Sequence, residues 1–174
     1  MTITNAAANA RANLEGAWLA FDDLSGRDVH DLLKLRQDVF VVEQDCAFPE
    51  IDGQDPDALH YVLRDPASGG LAGALRVFLA DADSAGGNQA SRIGRVVIAP
   101  SHRGLGLGRS LMQVALDKCR SAVPSAPVNL SAQAHLEEFY ASFGFARISE
   151  NYLEDGIWHL DMRCAAGPQS ETAV

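Results

Sequence analysis

At 174 residues the chain is long enough for a single domain that buries roughly 70% of its unfolded surface. Hydrophobic content of 47% with 21% charged residues is that of an ordinary globular protein, and no apolar run reaches the ~20 residues that cross a bilayer. Fourteen basic residues against twenty-three acidic ones, a net charge of −9, argue against nucleic acid, which is held mainly by Lys and Arg on phosphates. Such a field favours small or cationic partners, amines among them.

Met1 to Gly16 is Ala- and Asn-rich without periodicity and is expected to be a disordered arm. Its first thirteen residues hold one Arg and no apolar core, so they are not a secretory signal. Cys46, Cys119 and Cys164 are far apart and odd in number. They fit neither a disulfide framework nor a metal site, so reduced thiols in a cytoplasmic protein, with no metal, are expected.

Trp18 to Asp22 reads as a first strand. Ser25 is a good N-cap with Asp28 three residues on. The helix that follows carries Val29, Leu32, Leu33, Leu35 or Arg36, Val39 and Phe40 at a period near 3.6 and should end at Val42 to Gln44. Cys46 to Pro56 is rich in Asp, Pro and Gly and reads as a loop. Its acids, Glu50, Asp52 and Asp55, lack calcium-loop spacing and are expected in a solvated turn. His60 to Arg64 and Leu71 to Leu79 form an antiparallel hairpin around the turn Asp65 to Gly70. Asp81 to Gln89 is a polar loop.

A short apolar run, Ile93 to Ile98, then stops before Pro100, glycines follow at 104, 106 and 108, and an amphipathic pattern begins. Its inward positions are Leu107, Leu111, Val114, Ala115 and Cys119. Strand, glycine-rich turn and helix make an anion seat: glycine lets a ligand approach the backbone, the helix start offers unpaired amides, and Arg103 and Arg109 add charge. Val128 to Gln133 is the next strand, parallel to Ile93 to Ile98 because a helix separates them. His135 to Ser142 is a short helix stopped at Gly144. Phe145 to Glu150 and Ile157 to Arg163 close the sheet, and Ala165 to Val174 is a tail. Residues 1–16 are thus an arm, 17–164 a single α/β domain with a mixed sheet, and 165–174 a tail. Thr172-Ala173-Val174 resembles a PDZ ligand too short to carry weight.

Two phosphate motifs fail on the turn. A P-loop requires glycine where Arg103 stands and lysine where Arg109 stands. A dinucleotide fingerprint requires G-x-G-x-x-G and an acid at the end of the next strand; the chain has G-x-G-x-G and no such acid. Arg103-Gly104-Leu105-Gly106-Leu107-Gly108 instead satisfies R-x-x-G-x-G. With V-V-I-A-P before it and F-Y-A-S-F-G-F (Phe139 to Phe145) after it, the chain resembles the GNAT superfamily of N-acetyltransferases from about Leu24 to Arg163. L-R-Q-D-V-F-V-V-E-Q and A-Q-A-H-L-E-E-F-Y make it similar to the ElaA-type branch.

That resemblance implies the acyl-CoA N-acyltransferase fold: a mostly antiparallel central sheet with a splayed parallel strand pair, flanked by helices. It implies acetyl-CoA as co-substrate, held by Arg103, Gly104, Leu105, Gly106, Leu107, Gly108, Arg109 and Ser110. Backbone groups of Val96 and Ile98 pair with pantetheine between the splayed strands, and the Val96 or Val97 amide polarises the thioester carbonyl. Tyr140 falls on the usual general acid towards the CoA sulfur; the alternative is a packed ring beside Phe139, Phe143 and Phe145, but one helix face cannot bury all four. Gln133 and His135 flank the co-substrate.

Glu43, at the end of the first helix where the acceptor cleft of this fold opens, is the candidate base; otherwise it is a solvated helix end or a partner of Arg36. His60 and His135 are alternatives, since histidine titrates near neutrality. Arg36, Phe40 and Glu43 share a helix face at i, i+4 and i+7 and, with His60, are the candidate acceptor residues.

The expected activity is acetyl transfer to a primary amine of a small molecule or peptide by direct attack in a ternary complex, without nucleic acid or membrane and compatible with a homodimer. Two other readings stand beside it. L-R-Q-D-V-F also resembles acyl-homoserine-lactone synthases, although the tryptophan that follows there is replaced by Cys46 and Phe48. A CoA-binding sensor or interaction module would keep the fold without turnover.

Overall fold

The computed structural model describes residues 13–81 and 89–166. Most of the N-terminal arm, the loop interior 82–88 and most of the tail, with its last three residues, lie outside the described residues. Eight strands follow the order β1-β2-β3-β4-β5-β8-β6, with β7 beside β8. The chain divides into two compact units, Met1–Arg76 with Arg95–Met112, and Val77–Gly94 with Gln113–Val174.

In the first unit β1 (Glu15–Ala20) pairs antiparallel with β2 (Leu59–Arg64), from Glu15 opposite Arg64 to Ala20 opposite Leu59. The strand therefore begins inside the stretch expected to be an arm, and Phe21–Asp23 is a 3-10 turn rather than its end. Trp18 and Tyr61, opposite each other in the ladder, place their rings 5.1 Å apart. Such a cross-strand aromatic pair contributes to holding the register.

Helix α1 (Gly26–Arg36) starts where Ser25 and Asp28 form a full capping box. The Ser25 hydroxyl accepts from the Asp28 amide at 3.1 Å, and the Asp28 carboxylate accepts from the Ser25 amide at 2.9 Å. The helix reaches its expected end, but its final segment, Gln37–Glu43, is wound as a π-helix. The Cys46 amide donates to the Val41 carbonyl at 3.1 Å, and Asp45 turns left-handed (φ 48°) to end it. π-turns are rare and concentrate at functional sites. Leu24, Leu32, Leu35 and Val39 form one core with Val62, Leu71, Ala74, Val97 and Ala99, with Phe40 packed against it. Those last five come from β2, β3 (Leu71–Phe78), β4 (Ser91–Ile98) and the residue after it.

Helix α2 (Leu107–Ala122) buries Leu107, Leu111, Met112, Ala115, Leu116 and Cys119, while Val114 is half-buried. The apolar stripe is thus wider than the five positions read from spacing. In the second unit β5 (Val128–Gln133) pairs parallel with β4 at Ser91–Val128 and Arg92–Asn129, as the crossover rule requires. Along its whole length β5 also pairs antiparallel with β8 (Ile157–Cys164), from Val128–Cys164 to Gln133–His159. Val128, Leu130 and Ala132 face inward beside Leu160, Met162 and Cys164. Beside β8 lie two three-residue strands, β6 (Phe145–Arg147), shorter than expected, and β7 (Tyr152–Glu154). Between β5 and β6, the 3-10 turn Ala134–Leu136 leads into a one-turn helix α3 (Glu137–Ala141).

Candidate active site

The glycine-rich turn joins β4 to α2. After the 3-10 turn Pro100–His102, Gly104 (φ 77°) and Gly106 (φ 72°) are both left-handed, and buried Leu107 opens the helix. A Cβ at Gly104 would meet nothing within 4 Å, so backbone conformation and not crowding calls for glycine there. Gly108 lies in the first helical turn and has no such requirement. The first amides of any α-helix lack intrahelical acceptors. Arg103 and Arg109 are exposed beside them, with Leu105 and Ser110 half-buried. Left-handed glycines, a sixteen-residue helix and two guanidinium groups suit a pyrophosphate.

Arg103 donates from Nη2 to Glu43 Oε2 at 2.9 Å, both side chains being roughly half exposed. Glu43 is therefore paired with the turn rather than with Arg36. An exposed pair of this kind is worth about 0–1 kcal/mol and exchanges easily for a better anion.

β4 leads into this turn. Val97 points into the core, Val96 and Ile98 are half-buried, and Gly73 on β3 lies against them. A Cβ on Gly73 would sit 2.9 Å from the Val97 carbonyl oxygen and 3.0 Å from Ile98 Cδ1. Since the nearest atom is backbone, β4 itself must move. Gly73→Ala is expected to lower stability by about 1–3 kcal/mol, measured by thermal melting.

Arg36 and His60 do not face an acceptor; both are in the core, 1% and 0% exposed. Arg36 donates from Nε to Glu50 Oε1 at 2.6 Å and from Nη1 to Asp55 Oδ1 at 2.8 Å. Arg76 from β3 donates to Asp55 at 3.0 Å and to both carboxylate oxygens of Asp52. Arg95 donates to Glu50 Oε1 at 2.9 Å and to Asp52 Oδ2 at 3.2 Å. Three arginines thus neutralise three acids, and the loop expected to be a solvated turn is anchored in the core. The Arg76 hydrogen bonds hold Asp52 far below the usual carboxylate range. Burial pushes Asp55 upward, but Arg36 and Arg76 outweigh it and keep it low.

His60 donates from Nε2 to the Asp55 carbonyl at 3.0 Å, because that oxygen only accepts; its Nδ1 is buried without a hydrogen-bond partner. Burial holds its pKa below 6.5. A group depressed in the folded state stabilises the fold above its unfolded pKa, so stability should fall as pH drops below about 6.5. Denaturant unfolding at pH 7 and pH 5 should show this loss in the wild type and a smaller one in His60→Gln. Asp52 and Asp55, also depressed, add their loss only below the carboxylate value of 3.8.

In the second unit Tyr140 is buried on α3. Its ring lies 5.1 Å from Phe139 and 6.2 Å from Phe145, and Phe139 lies 5.3 Å from Phe143. The four rings are linked edge-on, with Phe145 supplied by β6; Tyr140 and Phe145 are buried and Phe139 and Phe143 half-buried. Burial pushes the Tyr140 phenol up to about 12, so it stays protonated at neutral pH. Gln133 ends β5 half-buried, and His135 is exposed in the 3-10 turn after it. Arg147 on β6 donates from Nε to Glu137 at 3.0 Å and from Nη2 at 2.6 Å, tying α3 to the sheet.

Among the described residues no group of three or more His, Cys, Asp or Glu is arranged to hold a metal ion, and no helix is long and apolar enough to cross a membrane.

Residues 50–166 match the family model described as an acetyltransferase (GNAT) domain. UPF0039 protein C11D3.02c of Schizosaccharomyces pombe is 40% identical over 87% of this chain and 97% of its own. Protein ElaA of Escherichia coli is 39% identical over 83% of this chain and 92% of its own, and its crystal structure superposes with a TM-score of 0.77 over 87% of this chain and 99% of that one, at 37% identity. A crystal structure of an acyl-CoA N-acyltransferase from Pseudomonas aeruginosa is 40% identical, with a TM-score of 0.79 over 87% of this chain and 99% of that chain.

Proposed function

The chain belongs to the GNAT acetyltransferase family, and from that premise we propose that it transfers an acetyl group from acetyl-CoA to a primary amine of a small molecule or peptide, by direct attack in a ternary complex. The observation that carries the reading is the left-handed Gly104 and Gly106 between Arg103 and the start of α2. The co-substrate supplies an electrophilic thioester carbonyl and a thiolate leaving group.

Arg103, Gly104, Leu105, Gly106, Leu107, Gly108, Arg109 and Ser110 hold its pyrophosphate, with Gln133 and His135 at its flank. Backbone groups of Val96 and Ile98 receive pantetheine, and the Val96 or Val97 amide polarises the carbonyl. One such donor is worth on the order of 2.7–4 kcal/mol in sites of this kind. Tyr140 donates its proton to the departing sulfur; being a weaker acid than a free phenol, it keeps that proton until the thiolate forms. Glu43 takes the amine proton directly or through water. A pyrophosphate on Arg103 would compete with Glu43 for its guanidinium, leaving the carboxylate to the amine. Phe40 and Glu43 line the acceptor side, where a carboxylate in an acidic protein favours cations. The place of action is the cytoplasm.

Incubation with acetyl-CoA and an amine panel, followed by thiol release, tests the reading. Release that rises with one amine supports it. Measurable acetyl-CoA binding with no release above blank would leave a CoA-binding module. Lactone formation from an acyl donor would instead favour the synthase-like alternative, whose motif arginine, Arg36, is here a buried partner of Glu50 and Asp55.

A further inference from the structure

Three non-glycine residues are described with positive φ: Asp45, Arg95 and Asp155. The two aspartates sit in turns and belong to a residue class that tolerates this conformation. Arg95, at φ 51°, lies inside β4. A left-handed residue within a strand is strained and persists only where its surroundings hold it.

Those surroundings are on the Cys46 to Pro56 loop. Arg95 donates to Glu50 through Nε at 2.9 Å, to the Glu50 carbonyl through Nη2 at 3.3 Å, and to Asp52 at 3.2 Å. Its guanidinium carbon lies 5.5 Å from the Phe48 ring centroid. Glu50 is itself fixed, because the same Oε1 accepts from buried Arg36 at the end of α1. Asp52 and Asp55 are fixed in turn by Arg76 on β3. The loop thus grips one strained residue of β4 from an anchored base. A left-handed residue in a strand re-aims the groups that follow it, and those are the Val96 and Val97 amides.

The geometry points to Glu50 as a positioning residue for acyl transfer: by gripping Arg95 it keeps residue 95 left-handed and so aims the Val96 and Val97 amides. This rests on the acyl-transfer reading above. Glycine adopts positive φ without help, so Arg95→Gly should keep kcat within about threefold of wild type. Arg95→Ala, which removes the same guanidinium but resists the conformation, should lower kcat roughly tenfold or more and raise the KM for acetyl-CoA less.

Glu50→Gln should lower kcat similarly in the wild type and add no further loss in the Arg95→Gly background. Equal kcat in Arg95→Gly and Arg95→Ala would overturn the assignment, as would a full further loss from Glu50→Gln on top of Arg95→Gly. Should Glu50→Gln fail to fold because Arg36 loses a partner, the glycine–alanine contrast at 95 decides alone. Crystal structures give a readout independent of activity: φ at residue 95 should be positive in wild type and Arg95→Gly and negative in Arg95→Ala. A positive φ retained in Arg95→Ala sinks the clamp, whereas a wild type with the expected φ and no transfer to any amine sinks only the proposed function.

Discussion

Gly106→Val should reduce acetyl-CoA affinity at least roughly a hundredfold, about 2.7 kcal/mol, while the protein stays folded. Gly106 is left-handed at φ 72°, a conformation in which a β-branched residue is a genuine outlier. Valine must therefore either strain the turn, at a cost on the order of 1–3 kcal/mol, or change its course. The loss is small beside a typical stability of about 5–15 kcal/mol, and the turn is at the surface, so thermal melting should still show one cooperative transition. Gly104→Ala is the control: its Cβ meets nothing within 4 Å, so it should show backbone strain alone and a smaller effect. Unchanged affinity in Gly106→Val by calorimetry would refute the seat.

Tyr140→Phe should lower turnover by roughly 10²–10⁴-fold, the usual worth of a positioned proton donor. The ring, packed against Phe139 and Phe145, is retained, so acetyl-CoA affinity and melting temperature should change little. With the phenol pushed up to about 12, Tyr140 should add no alkaline limb to the rate profile between pH 6 and pH 10. Equal losses in turnover and affinity would reduce Tyr140 to packing.

What was legible in the sequence was local. Ser25 and Asp28 announced the start of α1 because a capping box needs only two residues three apart. The strand, glycine turn and helix from Ser91 onward are contiguous, and the parallel partner of β4 followed from handedness. The π-helical end of α1 was hidden: over seven residues Val39 and Phe40 satisfy either winding. The arginine cluster was missed for a different reason. Arg36, Arg76 and Arg95 meet Glu50, Asp52 and Asp55 only through tertiary pairing, and helical spacing does not distinguish a buried arginine on a face from an exposed one. The one available signal was three carboxylates within six residues of a loop otherwise rich in Phe, Pro, Ile and Gly. Nor does periodicity reveal a left-handed Arg95. The anion seat came from residue chemistry, and the resemblance supplied acetyl-CoA as its occupant.

The most direct measurement is mass spectrometry of the amine panel after incubation with acetyl-CoA, with free CoA thiol counted in the same samples. Transfer to an amine predicts that one acceptor gains an acetyl group in step with CoA released, and that both vanish in Tyr140→Phe at equal time. Thiol released without an acetylated amine, or acetyl-CoA bound with neither product formed, would contradict it.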